Sequence, residues 1–241
     1  MSSKLLKSTL LHCFGSEKSA EVTPEMAANM IQASGIKEIP VNSHNIDTVS
    51  DWHDLPIGYG KASWTTVSDY MDLSDYKPLW NINLPQSAEE AISRTEKVVR
   101  LGGERPIKFE VLDDALTWSN NSNVLTAVDY LVNTNHFEVW PLIAPDYDTF
   151  AQLQDWGCQI IRIMGSRISS NKGILPEYIP TIKKILENRK YYLMLDGGVG
   201  SFETVKQAMG LGFDHILVNS WLFNDGNDVV ELLKEIRKIT E

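Results

Sequence analysis

From residue 107 to the C-terminus the chain repeats one unit, a short apolar run followed by an amphipathic stretch. The runs lie at residues 107–112, 137–143, 159–165, 191–196 and 215–219. Between and after them, segments near 124–132, 147–156, 176–186, 202–209 and 227–239 carry apolar residues at three- and four-residue spacing. Strands that are apolar throughout need cover on both faces, and helices returning the chain between parallel strands supply it. Upstream, strands are expected at 10–14, 38–41 and 78–82, and a helix at 88–100. Thr23-Pro24 opens a further helix over 26–33, with threonine as N-cap and proline at the first helical position, and Gly35 ends it. About eight strands at a spacing of roughly 25–35 residues predict a single-domain (β/α)8 TIM barrel over residues 1–241 rather than a doubly wound sheet. Residues 43–75, rich in Asp, Ser and Trp, read as an irregular insertion over the barrel.

Within the run Ile107-Lys108-Phe109-Glu110-Val111, a lysine and a glutamate stand two residues apart. Side chains at i and i+2 of a strand share a face. Two ionisable groups on one face of an apolar strand incur a desolvation cost unless they are paired or used. An amine able to lose its proton beside a carboxylate able to move one is the equipment for an imine with a ketone or aldehyde. A purely structural Lys–Glu pair satisfies the same pattern.

The formal net charge of −10 argues against a general nucleic-acid binder or an anionic membrane as partner. Two cysteines, Cys13 and Cys158, lie far apart without ligand spacing, so neither a zinc site nor a disulfide framework is expected, and reduced cytoplasmic thiols are. The N-terminus has no apolar segment of signal-peptide length, and no run approaches the roughly 18 apolar residues of a membrane span. His12, His44, His53, His136 and His215 show no metal-ligand spacing and read as structural; no metal or cofactor is expected. The seven tryptophans read as core or interface residues.

Active sites of such barrels lie at the C-terminal ends of the strands, and the loops after the seventh and eighth often hold phosphate. After the seventh predicted strand comes Asp196-Gly197-Gly198-Val199-Gly200, where glycines let backbone N–H groups approach an anion. After the eighth comes Asn219-Ser220. Tight turns need glycine in any case, so the two features carry weight together rather than singly. Asp196 ends an apolar run that aims its carboxylate at the barrel mouth, opposite Lys108 and Glu110; capping the next helix is its alternative role. The polar stretch from Gly165 to Gly173, which includes Ser169, is either a lid or a solvated connection.

In this order, IKFEVLDD, LMLDGGVG and ILVNSW resemble the Lys-Leu-Glu-Val, Val-Asp-Ala-Gly-Ile-Gly and Leu-Val-Asn-Thr segments of the thiazole synthase family of bacterial thiamine biosynthesis. IQASG, SAEEAI and the Gly165/SSNKG loop resemble further parts of it, so the likeness covers most of the chain. The family makes thiazole phosphate from 1-deoxy-D-xylulose 5-phosphate, dehydroglycine and a thiocarboxylate on the C-terminus of a small ubiquitin-like sulfur carrier. The resemblance implies that Lys108 forms the imine with the sugar-phosphate ketone and that Glu110 and Asp196 act as acid/base groups. It assigns the phosphate and substrate contacts to Gly165, Ser169, Gly197, Gly198, Asn219 and Ser220, and implies a homo-oligomer.

The sequence departs from the family at the rim. Ser169 replaces a glycine, CFGSEKS stands for Gly-Thr-Gly-Lys, Ser43-His44-Asn45 for a basic pair, and NINLPQS keeps only Asn81 of the third loop. The chain also stops at Glu241, before the family's tail. A retained centre with a changed rim is what a paralogue inserting sulfur into a different sugar phosphate would show. A catalytically silent barrel that binds a phosphorylated ligand or the sulfur carrier is the reading from another class.

Overall fold

The computed structural model describes residues 8–15, 21–58 and 60–241. Strands β1 (Leu10–His12), β2 (Glu38–Asn42), β3 (Lys77–Ile82), β4 (Ile107–Phe109), β5 (Val139–Ile143), β6 (Ile160–Ile163), β7 (Tyr192–Asp196) and β8 (His215–Val218) are all parallel. Their order, β1-β8-β7-β6-β5-β4-β3-β2, is that of the (β/α)8 barrel the repeat predicts, nearly closed, with no ladder between β1 and β2 among the described residues. Ser8 spans that seam, donating to Glu38 Oε2 at 3.4 Å and accepting from the Lys37 N–H at 3.0 Å.

Helices α1 (Pro24–Ser34), α2 (Trp64–Val67), α3 (Ala88–Gly102), α4 (Asn121–Asp129), α5 (Tyr147–Asp155), α6 (Ile179–Glu187), α7 (Phe202–Leu211) and α8 (Val229–Thr240) surround the strands. Local chemistry sets their ends. Thr23 caps α1 by accepting from Met26 N–H, and Gly35 stops it in the left-handed region at φ 68°. Ser87, Asn120, Asp146, Ser201 and Asp228 cap α3, α4, α5, α7 and α8 in the same way. Past α4 the chain continues as a π-turn, Tyr130–Thr134.

Two expectations change. The fourth strand stops at Phe109 instead of running to residue 112: Glu110 N–H still bonds the carbonyl of Ile82, the last residue of β3, but Leu112 N–H turns to the Pro85 carbonyl in the loop after β3. Residues 43–75 are the second βα connection, reduced to two 3-10 turns and the single-turn α2, whose capping box joins Ser63 and Thr66. Trp52 from this connection packs edge-on against Trp80 of β3. Ile57 and Gly58 lean over the barrel mouth. The predicted first loop falls partly on residues 16–19, outside the described residues.

Inside the barrel, Leu11, Leu79, Trp140, Ile160, Met194 and Leu217 form one packed apolar cluster that floors the site. His12 faces outward to α1, fully buried, with Nε2 2.9 Å from Ser34 Oγ. Burial depresses the His12 imidazole to about 4, against backbone hydrogen bonds that oppose the shift. Its folded value lies below its unfolded value of about 6.5, so the stability it carries is present above that value and is lost as pH falls toward the folded one. Thermal melts from about pH 7 to about pH 5 should therefore cost the wild type about 2 kcal/mol more than His12→Gln. Parallel pH slopes for the two proteins would refute the buried neutral imidazole.

Candidate active site

At the C-terminal end of the strands lies a cavity of about 140 Å³ lined by residues from every quarter of the barrel. Lys108 projects into it from the middle of β4, and Glu110, one residue past the strand end, projects on the same side. Asp196 enters from the last position of β7. All three are nearly sealed from solvent, at 4, 7 and 8 % exposure.

Between the two carboxylates lies Arg162, in the centre of β6 and 0 % exposed. Its Nη2 donates to Glu110 Oε2 at 3.2 Å. Its Nε stands 3.2 Å from Asp196 Oδ2, close enough for an ion pair but without the alignment of a hydrogen bond. Lys108 Nζ lies 3.8 Å from the same Glu110 Oε2 and gives its hydrogen bond to Asn81 Oδ1 at 3.1 Å. Two cations and two carboxylates thus compensate one another where all four side chains are buried and an unpaired charge costs several kcal/mol.

The polar chain extends further. Asn81 Nδ2 donates to Asn42 Oδ1, and Asn42 Nδ2 to the Gly58 carbonyl at 3.1 Å. Glu110 Oε1 accepts from the Leu84 N–H at 3.3 Å, so the carboxylate also pins the loop after β3. Hydrogen bonds and ion pairs therefore run from the second connection across β2, β3, β4 and β6 to β7. Cys13, at the end of β1, also lines the cavity; burial, reinforced by Asp196 and Glu110 and opposed by Lys108 and Arg162, raises its thiol above the usual range and keeps it protonated at neutral pH.

One wall of the cavity is apolar: Leu84, Leu112, Leu116, Leu142 and Ile168, with Met164 and Trp118 packed behind. Across from it stand Gly197, Gly198, Asn219, Ser220 and Gly15. Of the five non-glycine residues with positive φ among the described residues, Leu84, Leu116 and Ser169 line the cavity. Left-handed backbone at such residues is strain that the surrounding structure must hold, and it concentrates at working sites.

The family model described as thiazole biosynthesis protein ThiG matches residues 57–239. The thiazole synthase of Rhodospirillum rubrum is 31% identical over 218 residues, covering 90% of this chain and 70% of that protein. That of Psychrobacter cryohalolentis is 38% identical over 146 residues, covering 59% of this chain and 52% of that protein. The chain belongs to the ThiG family. Among solved structures, the Amycolatopsis orientalis BexX/CysO complex contains a chain that superposes with a TM-score of 0.81 at 22% identity, covering 98% of this chain and 88% of that one. Thiamine phosphate pyrophosphorylase from Pyrococcus furiosus shares the barrel at a TM-score of 0.56 and 11% identity.

In this ThiG-family barrel the residues singled out from the sequence fall into two groups. Lys108, Glu110, Asp196, Ser169, Gly197, Gly198, Asn219 and Ser220 all line one cavity. Gly165 does not; its N–H donates to the Gly197 carbonyl, behind the lining. The Asn219 amide is engaged on both sides with the Gly15 backbone at 3.1 Å, clasping the loop after β1 to β8, and Ser220 Oγ donates to Asn171 Oδ1. The loop from Gly165 to Gly173 is tied to its neighbours at both ends: Ile168 N–H bonds Thr117, Gly173 N–H bonds Gly198 at 2.7 Å, and Ser166 is buried.

Sequence reading missed Arg162, Asn42 and Cys13 as site groups. A lone arginine inside the apolar run Ile160-Ile161-Arg162-Ile163 was the available signal, since a charge on a buried strand demands partners.

Gly198 is a second point of tight design. Its φ is 84°, and a Cβ there would lie 1.9 Å from Ser166 Oγ and 2.9 Å from the Gly173 carbonyl. Gly198→Ala should destabilise the barrel by about 2–4 kcal/mol, a melting drop of several degrees. Adding Ser166→Ala removes the closest clash and should restore part of the loss. A Gly198→Ala protein that melts like wild type would contradict this packing.

Proposed function

We propose that the protein is a thiazole synthase-like, sulfur-inserting enzyme that works through an imine between Lys108 and the ketone of 1-deoxy-D-xylulose 5-phosphate. The observation that carries this reading is the Lys108 amine, nearly sealed from solvent, on the floor of a cavity in a ThiG-family barrel, with Glu110 3.8 Å away. Imine formation joins nitrogen to the ketone carbon and expels water, so it needs a group to protonate the departing oxygen and one to accept protons from nitrogen and from the sugar carbons. Glu110 and Asp196, both at the cavity floor, take these roles. Gly197, Gly198, Asn219 and Ser220 form the wall proposed to receive the phosphate, largely through neutral donors. Among the described lining residues Lys108 is the only cation, so phosphate and imine lie within one small space.

On this reading dehydroglycine supplies the remaining ring atoms, and the thiocarboxylate of a small ubiquitin-like sulfur carrier supplies sulfur. Family membership supports a carrier partner, and the similar barrel from Amycolatopsis orientalis was itself crystallised as a complex with CysO. A homo-oligomer follows from the same reading. No described helix is long and apolar enough to cross a membrane.

One observation favours a second reading, a paralogue acting on another sugar phosphate. Ser169 holds a left-handed conformation at φ 62° and puts a side chain on the cavity wall, where the family resemblance implies glycine. Borohydride reduction with a panel of sugar phosphates separates the two. The leading reading expects an adduct with deoxyxylulose phosphate, mapped to Lys108 and abolished by Lys108→Arg. Undiminished labelling in Lys108→Arg would remove the imine assignment. Exclusive labelling by a different sugar would establish the paralogue.

A further inference from the structure

The guanidinium of Arg162 takes no part in the reaction proposed above, yet no charged side chain among the described residues is more deeply buried. Arg162 and Lys108 approach the same atom, Glu110 Oε2. Arg162 makes the hydrogen bond at 3.2 Å, while Lys108 stays at 3.8 Å and bonds the neutral amide oxygen of Asn81. An amine gripped by a carboxylate is held as an ammonium ion with no lone pair to attack. An amine bonded to a neutral acceptor is held less firmly in that form.

We propose that Arg162 is a positioning residue that occupies Glu110 Oε2 and thereby leaves the Lys108 amine available for attack. The charged and titratable groups facing Lys108 are Glu110 on its own strand, Arg162 on β6, Asp196 on β7 and Cys13 after β1; β2, β3 and β8 present the neutral Asn42, Asn81 and Leu217, and β5 presents Leu142. Without Arg162, Lys108 would be the sole cation against two carboxylates at the floor, and the attraction would draw it onto Glu110. The assignment rests on the imine reading for its use but not for its measurement.

The test is competitive acetylation of the intact chain with acetic anhydride, no sugar phosphate present, with Lys108 labelling followed by peptide mass spectrometry across a pH series. Arg162→Met should slow Lys108 labelling by about tenfold near neutral to mildly alkaline pH. Arg162→Lys, which keeps the charge, should restore most of the rate, and Glu110→Gln/Arg162→Met should recover it by removing the carboxylate. Glu110→Gln alone should raise labelling, because it removes the carboxylate 3.8 Å from the amine and leaves Arg162 in place.

Wild-type labelling in Arg162→Met would overturn the proposal. So would wild-type labelling in Arg162→Gln, which removes the charge but keeps an amide donor and decides the matter if Arg162→Met does not fold. Borohydride trapping is read separately. A Lys108 that labels as expected but never traps a sugar would sink the imine reading and leave the Arg162 assignment standing.

Discussion

A guanidinium that never loses its charge, placed at the centre of a barrel strand, governs the upper half of this molecule. Arg162 has no solvent to turn to, so β4 and β7 must each bring a carboxylate to it, and they do so from Glu110 and Asp196 at 3.2 Å. That requirement fixes where those carboxylates sit. Apolar residues of similar volume would make a barrel at least as stable, since buried ion pairs seldom repay their desolvation. The cluster is therefore better understood as a working group that the fold tolerates than as a source of stability.

The fold tolerates it because the two halves of the barrel interior are divided. Below, Leu11, Leu79, Trp140, Ile160, Met194 and Leu217 pack as one apolar layer, and the strand order and helix caps need nothing from the charges above. Above, side-chain hydrogen bonds do the holding: Asn81 to Asn42, Asn42 to Gly58, Asn219 to Gly15, Glu110 to Leu84. The first joins the ends of β2 and β3, and each of the others ties a strand end to a connecting segment. The strained residues Leu84, Leu116 and Ser169 all sit in this upper half, where such bonds can hold an unfavourable backbone in place.

This division also explains what could be read from the sequence. Strand and helix periodicity, the Thr23-Pro24 start and the Gly35 stop are local signals, and the barrel they predict is present. The shared face of Lys108 and Glu110 follows from a two-residue period, and Asp196 from its place at the end of an apolar run. Arg162 pairs with Glu110 across 52 positions, and Asn42 with Asn81 across 39, and no short-range pattern encodes such partners. The fourth strand reads too long for the same reason. Its last residues are as apolar as its first, and only the loop after β3, packed beside it, draws them off the ladder. The second connection defeats periodicity altogether, because its order comes from Trp52 against Trp80 and from Gly58 over the mouth rather than from a helix.

The asymmetry of the cavity constrains how the proposed chemistry can run. Leucine and isoleucine form one wall; glycines, a hydroxyl and an amide form the other, and Lys108 lies on the floor between them. A phosphorylated ketose seated with its phosphate against the glycine wall meets neutral donors there and brings its carbon chain across the lysine. The apolar wall excludes water from the imine once it forms, which slows its hydrolysis and strengthens every charge interaction at the floor. Seated in the opposite sense, the substrate would bury a dianion against leucines with no donor to meet it, a cost far above anything the carbon chain regains. Orientation is thus set by the walls, and the charges at the floor are left to act on whichever carbon the walls deliver.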